Sequence, residues 1–185
     1  MLTYTTSDTE NDLQGILELQ KANLTRNLSK EEIDAQGFVT VDHSYEQLKK
    51  LNDLEKHVIV KDNDKIVGYL LAMVKECKQD IPVLIPMFKE FDNVVYKNKR
   101  ISAYNYIVVG QVCIEKKYRG SGMLDECYNY YKEHFSSQYD FAITEIASTN
   151  SRSLNAHYRI GFKTIHTYPA PNNAEWHVVL WDWRT

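Results

Sequence analysis

The sequence predicts a mixed α/β fold of the α+β class, in which a sheet is covered by helices. The predicted elements run in the order helices and a hairpin, then strand, helix, strand, helix, strand and strand. The apolar strand over 104–114, the next helix and the strand over 141–147 favour two parallel strands joined by a right-handed crossover. A length of 185 residues is sufficient for one core, so we expect a single domain over 1–185.

The N-terminal half carries the signals of a short strand over 2–6, three helices and a hairpin. Helix starts are predicted where a serine is followed three residues later by Glu or Gln. Apolar runs over 58–60 and 66–74 flank the turn sequence Asp62-Asn63-Asp64, which predicts a β-hairpin. The three capping patterns are Ser7 with Glu10, Ser29 with Glu32, and Ser44 with Gln47.

The C-terminal half begins with a proline-containing stretch over 81–91, which we interpret as a short helix or an irregular lid over the sheet. Asn150 is a candidate N-cap of a short helix that ends before Gly161, and strands follow over 162–168 and 176–183. The helix after Gly122 has an amphipathic pattern suited to packing on a sheet. Its predicted buried face consists of Met123, Leu124, Cys127, Tyr128, Tyr131 and Phe135.

Composition and charge restrict the function classes. The formal net charge is −3 and the isoelectric point is about 6.1, so we do not expect a nucleic-acid partner. The apolar runs are too short to span a bilayer, and the first ten residues do not resemble a signal peptide. The cysteines (Cys77, Cys113 and Cys127) lack CxxC spacing, which indicates free thiols in a cytoplasmic protein. The six histidines show no metal-ligand spacing, so no metal is expected.

The run EKKYRGSGML, residues 115–124, concentrates positive charge and glycine where a strand turns into a helix. The free N–H groups and the dipole of a helix N-terminus attract anions. Gly120 and Gly122 allow close approach and positive φ, while Arg119 offers a forked cation beside Lys116 and Lys117. The loop therefore predicts a phosphate or pyrophosphate site. It lacks the Walker A pattern, and Asp125 replaces the third glycine of the Rossmann pattern.

A second pattern covers residues 150–162, NSRSLNAHYRIGF. Asn150 caps the predicted helix, Ser153 and His157 share one helix face, and Gly161-Phe162 turns into the next strand. Each signal is typical of ordinary helix ends when taken alone. Both this pattern and the loop follow strand ends at the same edge of a parallel unit, where such sheets bind ligands.

Together these motifs resemble those of the GNAT superfamily of acyl-CoA-dependent N-acyltransferases. Arg119, Gly122 and Leu124 occupy the three key positions of its [RQ]-x-x-G-x-[GA] loop, with Leu124 in place of Gly or Ala. The resemblance implies a twisted, mostly antiparallel sheet with a central parallel pair, flanked by helices on both faces. It also implies acetyl-CoA as co-substrate. Its predicted contacts are Val112, Cys113, Ile114, Arg119, Gly120, Ser121, Gly122, Met123, Leu124, Asn150 and Ser153.

The resemblance also implies a direct acetyl transfer to an amine. A backbone N–H within 112–114 is expected to stabilise the oxyanion, and Cys113 itself to pack as a small apolar residue. His157, at the place where many members have a tyrosine, or its neighbour Tyr158 is the candidate acid for the departing thiolate. Glu145 on the strand over 141–147 is our first choice as general base, or else an exposed strand carboxylate, whereas Gln111 cannot serve.

The acceptor and the assembly are less constrained. We expect the segments 24–45 and 78–105 to contribute the acceptor site, most simply for a small-molecule amine, or else to be solvated loops. Acyl-CoA binding without turnover is an alternative function, and a nucleotide-binding protein is a third. The tryptophans of the last strand predict either a homodimer contact or core packing. The acceptor candidates are Asp42, His43, Asp92, Tyr96, Tyr104 and Tyr106, and the tryptophans are Trp176, Trp181 and Trp183.

Overall fold

A computed structural model describes residues 1–36, 38–78, 81–169 and 174–184. The chain forms two compact units. The first comprises Met1–Met73 and Val109–His134, and the second comprises Val74–Val108 and Phe135–Thr185. Strand β6, Tyr106–Ile114, contributes residues to both units. The expectation of one domain over 1–185 stays a prediction.

The predicted mixed α/β class is confirmed. Seven strands form one sheet in the order β1-β2-β3-β6-β7-β9-β8, and β6 and β7 pair in parallel as expected from the strand–helix–strand pattern. The β1–β2, β2–β3, β7–β9 and β8–β9 pairs are antiparallel. The strands are β1 Leu2–Thr6, β2 Val58–Asp62, β3 Lys65–Met73, β4 Val95–Tyr96, β5 Lys99–Arg100, β6 Tyr106–Ile114, β7 Phe141–Ala147, β8 Lys163–Pro169 and β9 Glu175–Asp182.

The helices also follow the predicted order, and the stretch over 81–91 forms a regular helix after a short 3₁₀ turn. Strands β4 and β5 make a separate two-stranded hairpin that the sequence analysis did not anticipate. The helices are α1 Glu10–Ala22, α2 Lys30–Gln36, α3 Tyr45–Leu54, α4 Ile85–Asn93, α5 Met123–Phe135 and α6 Ser151–Ile160.

Helix capping shows one correction. The boxes Ser29/Glu32 and Ser44/Gln47 form as predicted. Helix α1 is instead capped by Thr9, whose Oγ1 accepts the Asp12 N–H while Asp12 accepts the Thr9 N–H. Ser7 is fully buried and donates its hydroxyl to Asn52 Oδ1 at 2.5 Å. That long-range hydrogen bond withdraws Ser7 from the helix start.

The first unit places helices on both faces of its strands. Val60 lies opposite Gly68 and Lys61 opposite Ile66, so Val67 is an extra residue that reverses the alternation of side chains along β3. Ile66 then shares an apolar cluster with α1. A Cβ built on Gly68 would lie 3.5 Å from the sulfur of Met123 in α5. The cluster comprises Leu13, Ile16, Leu19, Leu24, Val39, Leu48, Ile59, Ile66, Tyr69, Leu71 and Cys113.

The second unit has an aromatic core around Phe141. The ring of Tyr106 stacks on Phe141 at 6.0 Å between centroids, and Tyr104 contacts the same ring edge-on at 5.2 Å. Helix α4 adds Phe91, which meets Tyr106 at 6.5 Å. Phe91, Tyr106 and Phe141 are almost completely buried, so α4 is part of this core.

Gly161, at the C-terminus of α6, provides a test of this packing. It has φ of +122°, and a Cβ there would lie 2.8 Å from Trp181 Nε1. We expect Gly161→Ala to destabilise the protein by about 2–3 kcal/mol, because about 1–2 kcal/mol of backbone strain is added to a clash. Gly120→Ala, at φ +79° with no atom within 4 Å of its Cβ, should cost only the strain. Urea unfolding measures both, and equal losses would contradict this account.

Candidate active site

The loop between β6 and α5 has the geometry of an anion site. A 3₁₀ turn over Lys116–Tyr118 leads into Gly120 and Gly122, whose φ values are +79° and +89°. The first helical hydrogen bonds come from the N–H groups of Asp125 and Glu126, which donate to Gly122 O at 3.0 and 3.2 Å. The N–H groups of residues 122–124 therefore precede the helical ladder and lie at the positive end of the dipole of α5.

The two glycines are required for backbone conformation rather than for space. A Cβ on either would have no neighbour within 4 Å, so positive φ is the property that other residues lack. This confirms the predicted backbone conformation. Met123, at the start of α5, is buried, while Leu124 is half-buried. The contacts of this loop with coenzyme A stay a prediction.

The guanidinium of Arg119 forms hydrogen bonds within the protein. Its Nε donates to Ile114 O at 2.9 Å and its Nη2 donates to Asn23 Oδ1 at 2.5 Å. It also hydrogen-bonds the Cys113 thiol. Asn23 ends α1 and donates its own amide to Leu19 O at 2.8 Å. Arg119 therefore links the loop to the end of α1, and its predicted contact with a phosphate stays a prediction.

The lysines of the loop are also engaged. Lys116 forms an exposed ion pair with Glu32 at 2.7 Å, and Lys117 lies over the Tyr118 ring at 4.5 Å. Tyr118 donates its hydroxyl to Asp62 at 2.5 Å. Exposed pairs of this kind contribute little to stability.

A cavity of about 790 Å³ adjoins this turn within the first unit. That volume is in the range of small-molecule sites. Its wall contains both polar and apolar residues and is nearly balanced in charge, because Lys65 pairs with Glu115 at 2.6 Å and Lys116 pairs with Glu32. The charged residues lining it are Glu18, Glu32, Asp64, Glu115, Lys65, Lys116 and Arg119.

The end of β6 shows why Cys113 is inert. The thiol is buried in the apolar cluster, and burial raises the pKa of Cys113 to about 12 despite the nearby Arg119. A thiol in that state packs as a small apolar group, as predicted. Cys77 and Cys127 are likewise buried thiols outside any disulfide. Val112 and Ile114 flank Cys113 on β6, and the Glu115 N–H continues the pairing to Val67 O at 2.8 Å.

Gln111 connects β6 to one of the segments expected to bind acceptor. Its Oε1 accepts the Tyr69 hydroxyl at 2.6 Å, and its Nε2 donates to Val41 O at 2.9 Å. In the same segment, the ring of His43 is buried, and burial lowers the pKa of His43 to about 4. Asp42 pairs with Arg26 at 2.5 Å. The segment is thus fixed by its own polar contacts; residue 37 within it lies outside the described residues.

The acceptor candidates of the second unit are mostly structural. Tyr104 and Tyr106 pack on Phe141, and Asp92 pairs with Lys78 at 2.6 Å. Tyr96 donates its hydroxyl to Asp182 at 3.1 Å. These four residues thus take part in contacts within the protein, and their role in an acceptor site stays a prediction. Residues 79 and 80 of this segment are outside the described part of the chain.

Glu145 on β7 is a carboxylate with a strongly altered pKa. Burial and, to a smaller extent, the charge of Glu90 raise the pKa of Glu145 to about 7, against the opposing effect of a hydrogen bond from Tyr168. The Tyr168 hydroxyl donates to Glu145 Oε2, and the same contact, with burial, raises the pKa of Tyr168. A carboxylate whose pKa lies near neutral pH is well matched to accepting a proton. The sequence analysis did not find Tyr168 or Glu90.

His157 is poorly suited to be the acid. Its Nδ1 lies 2.7 Å from Ser153 O, an acceptor, so Nδ1 carries the proton of the neutral ring. The side chain is 2% exposed, and burial lowers the pKa of His157 to about 4. His157 is therefore neutral at pH 7, with its ring proton directed at Ser153. Its ring also contacts Phe162 edge-on at 5.1 Å, which indicates a packing role.

The other residues of the second motif have clear positions. Asn150 accepts the Ser153 N–H at 3.3 Å and so caps α6 as predicted. Tyr158 is 41% exposed, and its hydroxyl lies 2.7 Å from Thr164 Oγ1. Tyr158 is thus accessible to solvent, in contrast to His157. The predicted contacts of Asn150 and Ser153 with coenzyme A stay predictions.

The described residues also bear on metal binding and on membrane insertion. Across the described ranges, His, Cys, Asp and Glu side chains do not form any group of three able to hold a metal ion. Within residues 1–36, 38–78, 81–169 and 174–184, every helix is too short or too polar to cross a bilayer.

Comparison by sequence finds no matching family model and no matching curated protein. Comparison by structure finds many similar chains. A chain of the NatC complex, solved with Gag peptide and CoA, has a TM-score of 0.65 at 16% identity, with 98% of each chain covered. A protein from Desulfovibrio desulfuricans assigned to the GNAT acetyltransferase family has a TM-score of 0.64 at 9% identity, covering 98% of this chain and 99% of that one.

A third similar structure is that of an enzyme named for a small polyamine, spermidine. It is a chimera of the spermidine N-acetyltransferase SpeG from Vibrio cholerae and hSSAT, with a TM-score of 0.58 at 14% identity. The match covers 98% of this chain and 95% of that chain. At these identities the comparisons establish the fold and leave the acceptor open.

Arg119 offers a test of the loop's internal support. We expect Arg119→Ala to destabilise the ligand-free protein by about 2–3 kcal/mol, because hydrogen bonds to a charged group are lost and Asn23 Oδ1 loses its partner. The exposed Lys117→Ala should change stability by less than about 0.5 kcal/mol. Urea unfolding without ligand measures both. An Arg119→Ala variant as stable as the parent would contradict the structural role and favour a purely phosphate-binding one.

Proposed function

We propose that this chain, which has the GNAT fold, is an N-acetyltransferase that uses acetyl-CoA as donor and an amine as acceptor. The observation that carries the proposal is the loop over 119–124. Its two positive-φ glycines lead into α5, whose first N–H groups precede the helical hydrogen bonds, and this arrangement suits a pyrophosphate. Glu145, whose pKa is raised to about 7, supplies a group suited to deprotonating an amine.

In the proposed reaction each residue has one role. The amine nitrogen attacks the thioester carbonyl, and Glu145 accepts the proton that the nitrogen loses. A backbone N–H within 112–114 stabilises the negative charge that develops on the carbonyl oxygen. As the carbon–sulfur bond breaks, Tyr158 donates a proton to the thiolate. His157 holds its own part of α6 in place, since its proton is directed at Ser153 O.

We propose a small-molecule amine as acceptor, in keeping with a carboxylate base that also attracts a cation. The similar structures include a complex with a peptide and a spermidine acetyltransferase, so a protein amine is the competing acceptor. A panel of diamines, polyamines, amino acids and peptides with free N-termini would separate these classes by acetylated product. No nucleic-acid or membrane partner is proposed, and a homodimer stays a prediction.

Donor binding is tested by thermal unfolding. Saturating acetyl-CoA at about a hundred times its Kd adds about 2.7 kcal/mol, which raises Tm by about 5–10 °C. Gly122→Ala should lose most of this shift, measured against its own ligand-free Tm, because alanine disfavours φ of +89°. Ser136→Ala, exposed beyond α5, should keep the full shift. A shift with ATP or NADH but none with acetyl-CoA would exclude this function.

Turnover is tested by the release of free CoA with the amine panel. We expect kcat/KM to rise with pH through about pH 7, because Glu145 accepts a proton only when ionised. Glu145→Gln should lower kcat/KM by about 10²–10⁴-fold and remove that rise, with the acetyl-CoA thermal shift unchanged. Binding of acetyl-CoA without any amine-dependent CoA release would instead favour the alternative, an acyl-CoA-binding module.

A further inference from the structure

We propose that Tyr168 is a positioning residue that holds the Glu145 carboxylate ionised and oriented for proton transfer. The inference rests on the proposed function and extends it to a residue that the resemblance does not assign. The direct observation is the hydrogen bond from the Tyr168 hydroxyl to Glu145 Oε2. With one oxygen fixed by this donor, the second oxygen, Oε1, is the one that accepts the amine proton.

The sheet brings the two side chains together across an intervening strand. Glu145 on β7 lies directly opposite Val178 of β9, and Tyr168 on β8 lies opposite Trp176, two residues away on β9. Directly opposite residues share a face, so Glu145, Val178, Trp176 and Tyr168 all lie on one side of the sheet. The phenol is long enough to cross β9 and reach the carboxylate, whereas a shorter hydroxyl side chain on β8 would not be.

The charged and titratable groups around Glu145 act in opposite directions. Glu90 of α4 is a like charge that disfavours ionisation, as does burial. From β8, Tyr168 donates to the carboxylate, and His166 stacks on the Tyr168 ring at 6.2 Å with the planes 14° apart. From β9, the facing residue is the apolar Val178. The phenolic hydrogen bond is therefore the contact in this set that stabilises the ionised carboxylate.

The chemical consequence concerns the proton alone. When the amine attacks, its N–H bond breaks and an O–H bond forms at Glu145, while Tyr168 keeps its own proton throughout. Without the phenolic donor, a buried carboxylate beside Glu90 would hold a proton at neutral pH and could not accept another. Tyr168 thus sets the pH range in which the base works, and does not touch the reacting atoms.

The test is the pH dependence of kcat/KM in three variants. Tyr168→Phe should move the acidic limb to higher pH by about one to two units, because a hydrogen bond to a charged group is lost. At pH 7 this lowers kcat/KM by about 5–50-fold, with recovery at higher pH. Glu90→Gln should move the limb to lower pH. Thr167→Val removes a hydroxyl from the other face of β8 and should leave the limb in place.

Opposite shifts in Tyr168→Phe and Glu90→Gln are the expected result, since loss of packing alone would not reverse sign between them. A uniform loss of activity at every pH in Tyr168→Phe, with the limb unmoved, would overturn the proposal. If Tyr168→Phe does not fold, two other variants test the proposal. One is Glu90→Gln, through its acidic limb of kcat/KM. The other is Tyr168→Trp, which retains a ring and an N–H donor. The proposal is contradicted if the acidic limb of Glu90→Gln does not move. It is also contradicted if a folded Tyr168→Trp, whose N–H is shown not to reach Glu145, has the same acidic limb as the parent.

A direct titration separates this inference from the proposed function. Carbon NMR of the Glu145 carboxyl reports its protonation without any substrate. If the parent shows no acetyl transfer with any amine, yet the Glu145 midpoint rises in Tyr168→Phe and falls in Glu90→Gln, the coupling stands and the enzymatic function fails. If activity is found but the midpoint is the same in all three proteins, Tyr168 has no influence on the base and the inference is wrong.

Discussion

The positive φ at Gly120 and Gly122 is the constraint on which the donor side of this account depends. Two residues in that conformation turn the chain from β6 into α5 so that Asp125 and Glu126 donate the first helical hydrogen bonds. The preceding N–H groups are then left for a ligand. Arg119 bonds the Ile114 carbonyl and Asn23, which fixes the start of the turn. The charge of Arg119 therefore stabilises the backbone of the turn. In the proposed function, the backbone N–H groups at the start of α5 bind the anion.

In the second unit, burial determines the pKa of the candidate base. A carboxylate exposed to water would be ionised at pH 7 but only weakly basic. Burial of Glu145 beside Glu90 brings its pKa to about 7, and the Tyr168 hydroxyl limits the rise. Burial has the opposite effect on the pKa of His157, which it lowers to about 4 although the hydrogen bond to Ser153 O favours the charged ring. The surroundings of Glu145 and His157 thus shift the two pKa values in opposite directions.

Much of the fold could be predicted from the sequence because its signals are local. The glycines at 120 and 122 and the Asn150 cap depend on neighbouring residues and are found as expected. The contacts that could not be predicted join residues that are far apart in the sequence. Ser7 is drawn from the helix start by Asn52, 45 residues away, and Arg119 meets Asn23 across 96 residues. The Tyr168–Glu145 contact requires a sheet order in which β9 lies between β7 and β8, an order that spacing alone does not reveal.

The most direct test of the central claim is to follow the backbone amide resonances of residues 120–124 by NMR as CoA is added. The account predicts that the N–H groups of Gly122, Met123 and Leu124 shift downfield and saturably, as expected for amides that begin to donate to a pyrophosphate. Dephospho-CoA, which keeps the pyrophosphate, should produce the same shifts. CoA binding that leaves these resonances unmoved, or the absence of any saturable change, would contradict the assignment of this loop as the donor site.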